Sequence, residues 1–305
     1  MSDRTSAGLY DGKPTPADLV VIAYILIIAA LVVMARERIP EWRQYVAIHI
    51  AVAAAIATLP RLLTRRGNAV GRFLRGWYPV PFIPTTYMEL RYLIPRIHPR
   101  DYDRELAAID YRLFGAHPTV WLERFLWPPL TEIFQISYIT YYFLPIALGA
   151  VLWHKGWFER YYFWVFIVVL GFYTSYLGYI AVPALGPRFL IADHYTEPLV
   201  GLLFFDDIRA MLDRAQGIMR DCFPSGHTEV TLLVLHYAYR FHRPAFWSML
   251  PFGTALILST VYLRYHYVID LAAGAVFALA IVLAARPLYR ILGGVMDDRR
   301  RQAPV

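Results

Sequence analysis

The stretch "ADLVVIAYILIIAALVVMA" (17–35) carries a single ionisable residue, Asp18, at its edge. Spanning the hydrocarbon core of a bilayer as a helix takes about 20 consecutive, mostly apolar residues. Lipid offers no partners to backbone N–H and C=O groups, so such a run is driven into helix. A signal peptide would show a shorter apolar core and a small-residue cleavage site, and neither is seen. Comparable runs follow at 45–59, which is marginal in length, at 130–153 and 161–182, after Gly226, and at 246–263 and 267–285. The expectation is an all-α polytopic membrane helix bundle of about six to seven transmembrane helices. A composition of 58% hydrophobic and 17% charged residues over 305 positions is too apolar for an ordinary soluble domain.

The formal charge of +7 does not point to nucleic acid, because the basic residues are scattered through loops rather than lined up on one face. With the spans above, Arg36, Arg38, Arg43, Lys155, Arg160, Arg240, Arg243, Arg290 and Arg299 to Arg301 share one side. The positive-inside rule makes that side cytoplasmic. The connections 64–128 and 184–224 and the turn near Arg264 are then extracytoplasmic. One cysteine, Cys222, excludes an intrachain disulfide.

Four segments are expected: N-terminal transmembrane helices over 1–63, an external or interfacial connection over 64–128, a helix bundle over 129–293 and a basic cytoplasmic tail over 294–305. Within the connection, "RELAAIDYRLFG" has helical apolar spacing and ends at Gly115, which predicts an amphipathic helix lying in the interface. Trp121 and Trp127 are expected at headgroup level. The segment 77–95 reads either as part of this connection or as a re-entrant piece, and the whole as either a packed lid or a substrate gate.

Three stretches lie at the predicted external ends of the last spans: "VPALGPRF" (182–189), "FPSGHT" (223–228) and "STVYLRYHYVID" (259–270). His266 and Asp270, four apart, would share a helix face, so the carboxylate could orient the imidazole and stabilise its cation. The bland reading is a hydrogen-bonded pair at a helix end, but a carboxylate near a membrane span is costly and points to function. Ser225 and Gly226 could offer N–H groups to an anion at a helix start, with His227 beside them as a proton donor; a plain N-cap is the alternative. Arg188, with Arg220 and Arg264, could grip phosphate oxygens, or Arg188 could simply snorkel to headgroups. The other histidines show no metal-ligand spacing, so no metal and no cofactor are expected.

"FPSGHT" followed by "YLRYHYVID" resembles the type 2 phosphatidic acid phosphatase superfamily, over roughly residues 105–285. The second motif of that superfamily is Pro-Ser-Gly-His, and its third is Ser-Arg, five residues, His, three residues, Asp. "IDYRLFGAHPTVWLERF" and "YLRYHYVID" look more like its inositol phosphorylceramide synthase and inositolphosphotransferase branch. The resemblance implies that His266 attacks phosphorus, Asp270 orients it and His227 protonates the leaving group. Two departures stand out: the first-motif Lys is absent, the only lysines being Lys13 and Lys155, and Thr260 follows Ser259 where the family has Arg. Arg188 and Arg264 are the expected substitutes.

The implied activity is a metal-independent lipid phosphate phosphatase or phosphotransferase. It would act on a phospholipid or polyprenyl phosphate at the extracytoplasmic face, with membrane lipids around it and an alcohol as a possible acceptor. Headgroup transfer of the phosphoinositol type is the alternative. A non-catalytic lipid or anion transporter is a more remote one, and no duplicated halves support it.

Overall fold

Thr15 and Asp18 start the first helix by capping each other: the Thr15 hydroxyl accepts from Asp18 N at 3.2 Å, and Asp18 Oδ2 accepts from Thr15 N at 2.7 Å. This reciprocal cap explains a carboxylate at the edge of an apolar run. Tyr78 OH also donates to it. The computed structural model describes residues 12–64, 69–216 and 219–295. Most of the basic tail, 296–305, therefore lies outside the described residues, as do 65–68 of the long connection.

The helices are α1 (Pro16–Met34), α2 (Trp42–Thr64), α3 (Ala69–Trp77), α4 (Pro79–Ile97), α5 (Asp103–Phe114), α6 (Pro118–Trp121), α7 (Pro128–Ile139) and α8 (Phe143–His154). There follow α9 (Phe158–Ala181), α10 (Pro187–Leu190), α11 (Phe205–Gln216), α12 (Gly226–Phe241), α13 (Arg243–Tyr262) and α14 (Val268–Ile291). No strand occurs among the described residues. The protein is an all-α polytopic bundle, with α9 and α12 at its centre and α1 and α2 packed together at one side.

Among the described residues, five helices are long and apolar enough to cross a membrane: Pro16–Met34, Pro128–His154, Phe158–Ala181, Arg243–Tyr262 and Val268–Ile291. They are five of the six to seven expected from sequence. The 45–59 run lies inside α2 but is not among the five. The run after Gly226 forms α12, which at 16 residues is about 24 Å long. α12 packs on α8, α9, α13 and α14, and residues 224–231 are all buried. Surrounded by protein, it can begin with polar side chains that lipid would not accept.

The long connection is mostly helical. α4 packs on α9 and α1, so 77–95 belongs to the bundle wall. α5 ends at Gly115, whose φ of 70° is left-handed and whose N–H bonds Tyr111 O at 2.9 Å, a helix stop that glycine permits at little cost. The amphipathic helix predicted there forms, but its faces are reversed in one respect. Asp103, Leu106, Ala107 and Asp110 are buried, while Tyr111, Leu113 and Phe114 are exposed.

Candidate active site

The turn "FPSGH" is wedged between two glycine contacts. A Cβ on Gly178 of α9 would overlap the Pro224 ring, and one on Gly274 of α14 would overlap the Ser225 carbonyl. Both helices can therefore close on the turn only because these positions lack side chains. Ser225 then caps α12, its hydroxyl accepting from Thr228 N at 3.2 Å. His227 follows in the first turn, buried between two tyrosine rings at centroid distances of 4.5 Å (Tyr138) and 4.2 Å (Tyr141).

His266 lies in the loop before α14, not on it; Tyr267 is the N-cap. The expectation of a shared helix face is corrected accordingly, yet the two side chains still meet. His266 Nδ1 is 2.8 Å from the Cys222 carbonyl and 3.3 Å from Asp270 Oδ2. A carbonyl oxygen can only accept, so Nδ1 carries the proton and Nε2 keeps its lone pair. That Nε2 stands 3.3 Å from His227 Nδ1, with the rings edge to face. Asp270 Oδ2 is held by Tyr267 N at 2.8 Å and by the Cys222 thiol at 2.9 Å. Asp270 Oδ1 and His227 Nε2 are buried without a hydrogen-bond partner.

Two carboxylates of α5, Asp103 and Asp110, fasten this loop. Asp103 accepts from Leu185 N at 2.9 Å, Gly186 N at 2.7 Å and Tyr267 OH at 3.1 Å. Asp110 accepts from Val268 N at 2.7 Å and Ile269 N at 2.9 Å, two free N–H groups of the α14 start. Burial pushes both carboxyls above the ordinary carboxylate range, and their N–H bonds pull them back only in part. The signal was available: two Asp seven apart fall on one helix face.

All three candidate phosphate-binding arginines are engaged by carboxylates. Arg188 pairs with Asp213 of α11 at 2.8 Å, and Arg220 with Asp101 at 2.5 Å. Arg264 adopts a left-handed φ of 66° and turns to Glu123 at 2.9 Å and the Glu197 carbonyl at 2.6 Å. Of the backbone donors, Ser225 N is bonded to Asp270 O at 3.0 Å. The Gly226 position abuts Tyr179 OH and Ser175.

Cys222, His266 and Asp270 bring three potential metal-ligating atoms within 4.8 Å of one another. The thiol is pushed well above its ordinary value, chiefly by burial and then by Asp270, and it donates to that carboxylate, while Nδ1 donates to the Cys222 carbonyl. Metal ligation requires those protons to leave.

The family model of the PAP2 superfamily matches residues 104–284, which span Asp110 of α5 and both histidines. A PA-phosphatase related-family protein of Dictyostelium discoideum is 29% identical over 164 residues, 47% of this chain and 30% of its own length. No solved structure matches. Since the matched region covers more than half of the chain and contains the whole histidine pair, the protein belongs to the PAP2 superfamily.

Proposed function

We propose that the protein is an integral membrane phosphatase of phosphorylated lipids that works through a phosphohistidine. The observation that carries this reading is the tautomer of His266 set by the Cys222 carbonyl, which turns the Nε2 lone pair to His227 Nδ1. Nε2 attacks the phosphorus of a lipid phosphate and the bond to the leaving oxygen breaks. A proton from His227 Nδ1 makes that oxygen an alcohol, and Asp270 stabilises the imidazolium-like phosphohistidine. Water, giving its proton back to His227, then attacks phosphorus and releases phosphate, restoring both rings. Arg188, Arg220, Arg264, Ser225 and Gly226 are proposed as the phosphate-holding groups. Arg188 leads them, because its ion-pair partner Asp213 has a side chain 49% exposed that substrate can displace.

The near-complete burial of the pair, 8% exposed at His227 and 3% at His266, favours a second outcome for the same intermediate. A site that limits water lets an alcohol accept the phosphoryl or phosphodiester group. In this reading the site opens on the extracytoplasmic face.

The test uses purified protein in detergent, offered phosphatidic acid, a polyprenyl pyrophosphate and a phosphoinositide with excess chelator. Phosphate release or transfer is expected, lost in His266→Ala. Full turnover in that variant would rule out the covalent route, and loss on chelation would rule out the metal-independent one. A new phosphodiester formed with added lipid-soluble alcohol would mark transfer.

A further inference from the structure

A cavity of about 600 Å³ begins at His227 and Asp221 and runs away from the histidine pair. Its floor is a stripe of α9: Tyr161, Trp164, Val168, Phe172, Tyr176 and Tyr179. These recur at helical spacing over eighteen positions, so the stripe is about 27 Å long, close to the ~30 Å of a bilayer's hydrocarbon core. α4 and α8 form the walls; each packs on α9, while they scarcely touch each other. Val80, Met88 and Ile146 line the gap and are exposed, so the groove opens sideways toward lipid.

The polar atoms along the groove are mostly satisfied. Tyr161 OH donates to Gly76 O at 3.0 Å and Trp164 Nε1 to Pro145 O at 3.0 Å, and at the upper end Tyr87 OH donates to Asp221. Toward the far end Gly149 faces the rings of Trp77, Tyr161 and Trp164, which a Cβ there would meet at 3.6, 3.6 and 3.7 Å. What remains is a long, narrow, apolar slot with a catalytic-type histidine at one end.

We propose that this groove binds one extended apolar chain of the substrate and selects lipid phosphates by the length of that chain. The proposal rests on the phosphatase reading above. The occupant is a phosphate monoester or pyrophosphate whose chain, isoprenoid or acyl, enters sideways from the bilayer. A fully extended chain advances about 1.2 Å per bond, so the groove takes roughly 20–25 chain atoms. A second chain, where a lipid has one, stays in the bilayer. Val168 lies eleven positions from Tyr179, about 16 Å along the floor.

The test uses the full chain in lipid nanodiscs and single-chain alkyl and prenyl monophosphates of about 8, 14, 22 and 30 chain atoms, the lengths bracketing the groove. In the wild type, kcat/KM is expected to rise with length until about 22 atoms and then level off. Val168→Trp should stop the rise near 14 atoms, lowering the longest substrates by about tenfold or more, since each buried CH₂ is worth severalfold in affinity. It should leave the shortest unchanged. Gly149→Val should trim only the longest. A wild-type profile flat in length, or variants that depress all lengths equally, would overturn the proposal. Comparing the alkyl with the prenyl series separates the two chain sources. Should the wild type release no phosphate from any of them, the chemical reading fails by itself. The groove is then judged by a long alkyl phosphate with a photoreactive chain end: labelling of 149–165 that Val168→Trp abolishes supports it, and labelling elsewhere overturns it.

Discussion

His266 Nδ1 donates to the backbone carbonyl of Cys222 at 2.8 Å, half an ångström closer than it approaches Asp270. A main-chain group, which no side-chain substitution removes, thus sets the tautomer, and the carboxylate supplies charge. Asp270→Asn should accordingly lower kcat by about 10²–10³-fold, the cost of one lost electrostatic stabiliser. His266→Ala should reach background. Equal losses in the two variants, measured as phosphate release, would show that Asp270 and not the carbonyl governs the ring.

In the proposed mechanism His227 protonates the leaving oxygen, so its importance depends on how much that oxygen needs a proton. His227→Asn should lose about 10²–10⁴-fold with an alkyl phosphate. It should lose far less with a nitrophenyl phosphate, whose leaving group departs as an anion. A uniform loss across both would assign His227 a different role.

Asp110 holds two N–H groups at the start of α14, one turn of backbone from Asp270. Asp110→Ala leaves both unpaired, a cost of about 1–3 kcal/mol each. The melting temperature and kcat should fall together, with Asp110→Asn between the two. Unchanged kcat in the alanine variant would detach α5 from the site. The pH dependence has a definite sign. Folding raises the Asp103 and Asp110 carboxyls, so the native state holds more protons than the unfolded chain just above the ordinary carboxyl value of about 4. Their contribution is present below that value and is lost as pH rises through the raised ones. Asp110→Asn should flatten that part of a melting-temperature profile against pH.

Cys222 is buried, and its thiol is held neutral well past its ordinary value. The native protein should resist iodoacetamide at mildly alkaline pH and react after denaturation, as read by intact mass, because only thiolate reacts. Cys222→Ser, which keeps a donor to Asp270, should retain more turnover than Cys222→Ala.

Arg188 and Asp213 form a partly exposed pair, worth at most about 1 kcal/mol to stability. Asp213→Ala should therefore leave the melting temperature unchanged and lower KM by freeing the guanidinium. Arg188→Ala should raise KM. A raised KM in Asp213→Ala would remove Arg188 from the phosphate site.

The apolar runs, the Gly115 stop and the two histidine motifs were legible without coordinates, because each is a local signal: run length, a left-handed glycine, a short spaced pattern. The apolar runs could not say which of them face lipid. The 16 residues of α12 look like a span facing lipid, yet they pack on α8, α9, α13 and α14, with the first turns buried. Charge was equally ambiguous. Arg188, Arg220 and Arg264 looked alike in sequence, and each turned out to depend on a partner distant in the chain, Asp213, Asp101 and Glu123.

By itself the sequence determined that the chain is a helical membrane bundle and singled out His227, His266 and Asp270, the residues on which the proposed chemistry rests, since backbone satisfaction in lipid and motif spacing are properties of neighbouring positions. Only the tertiary structure decided how His266 is held, that Asp103 and Asp110 of α5 fasten its loop, and that a groove leads away from His227 along α9. Those are contacts between residues 44 to 164 positions apart, such as His266 with Cys222 and Tyr267 with Asp103. They exist only once Gly178 and Gly274 have let the helices close around one turn.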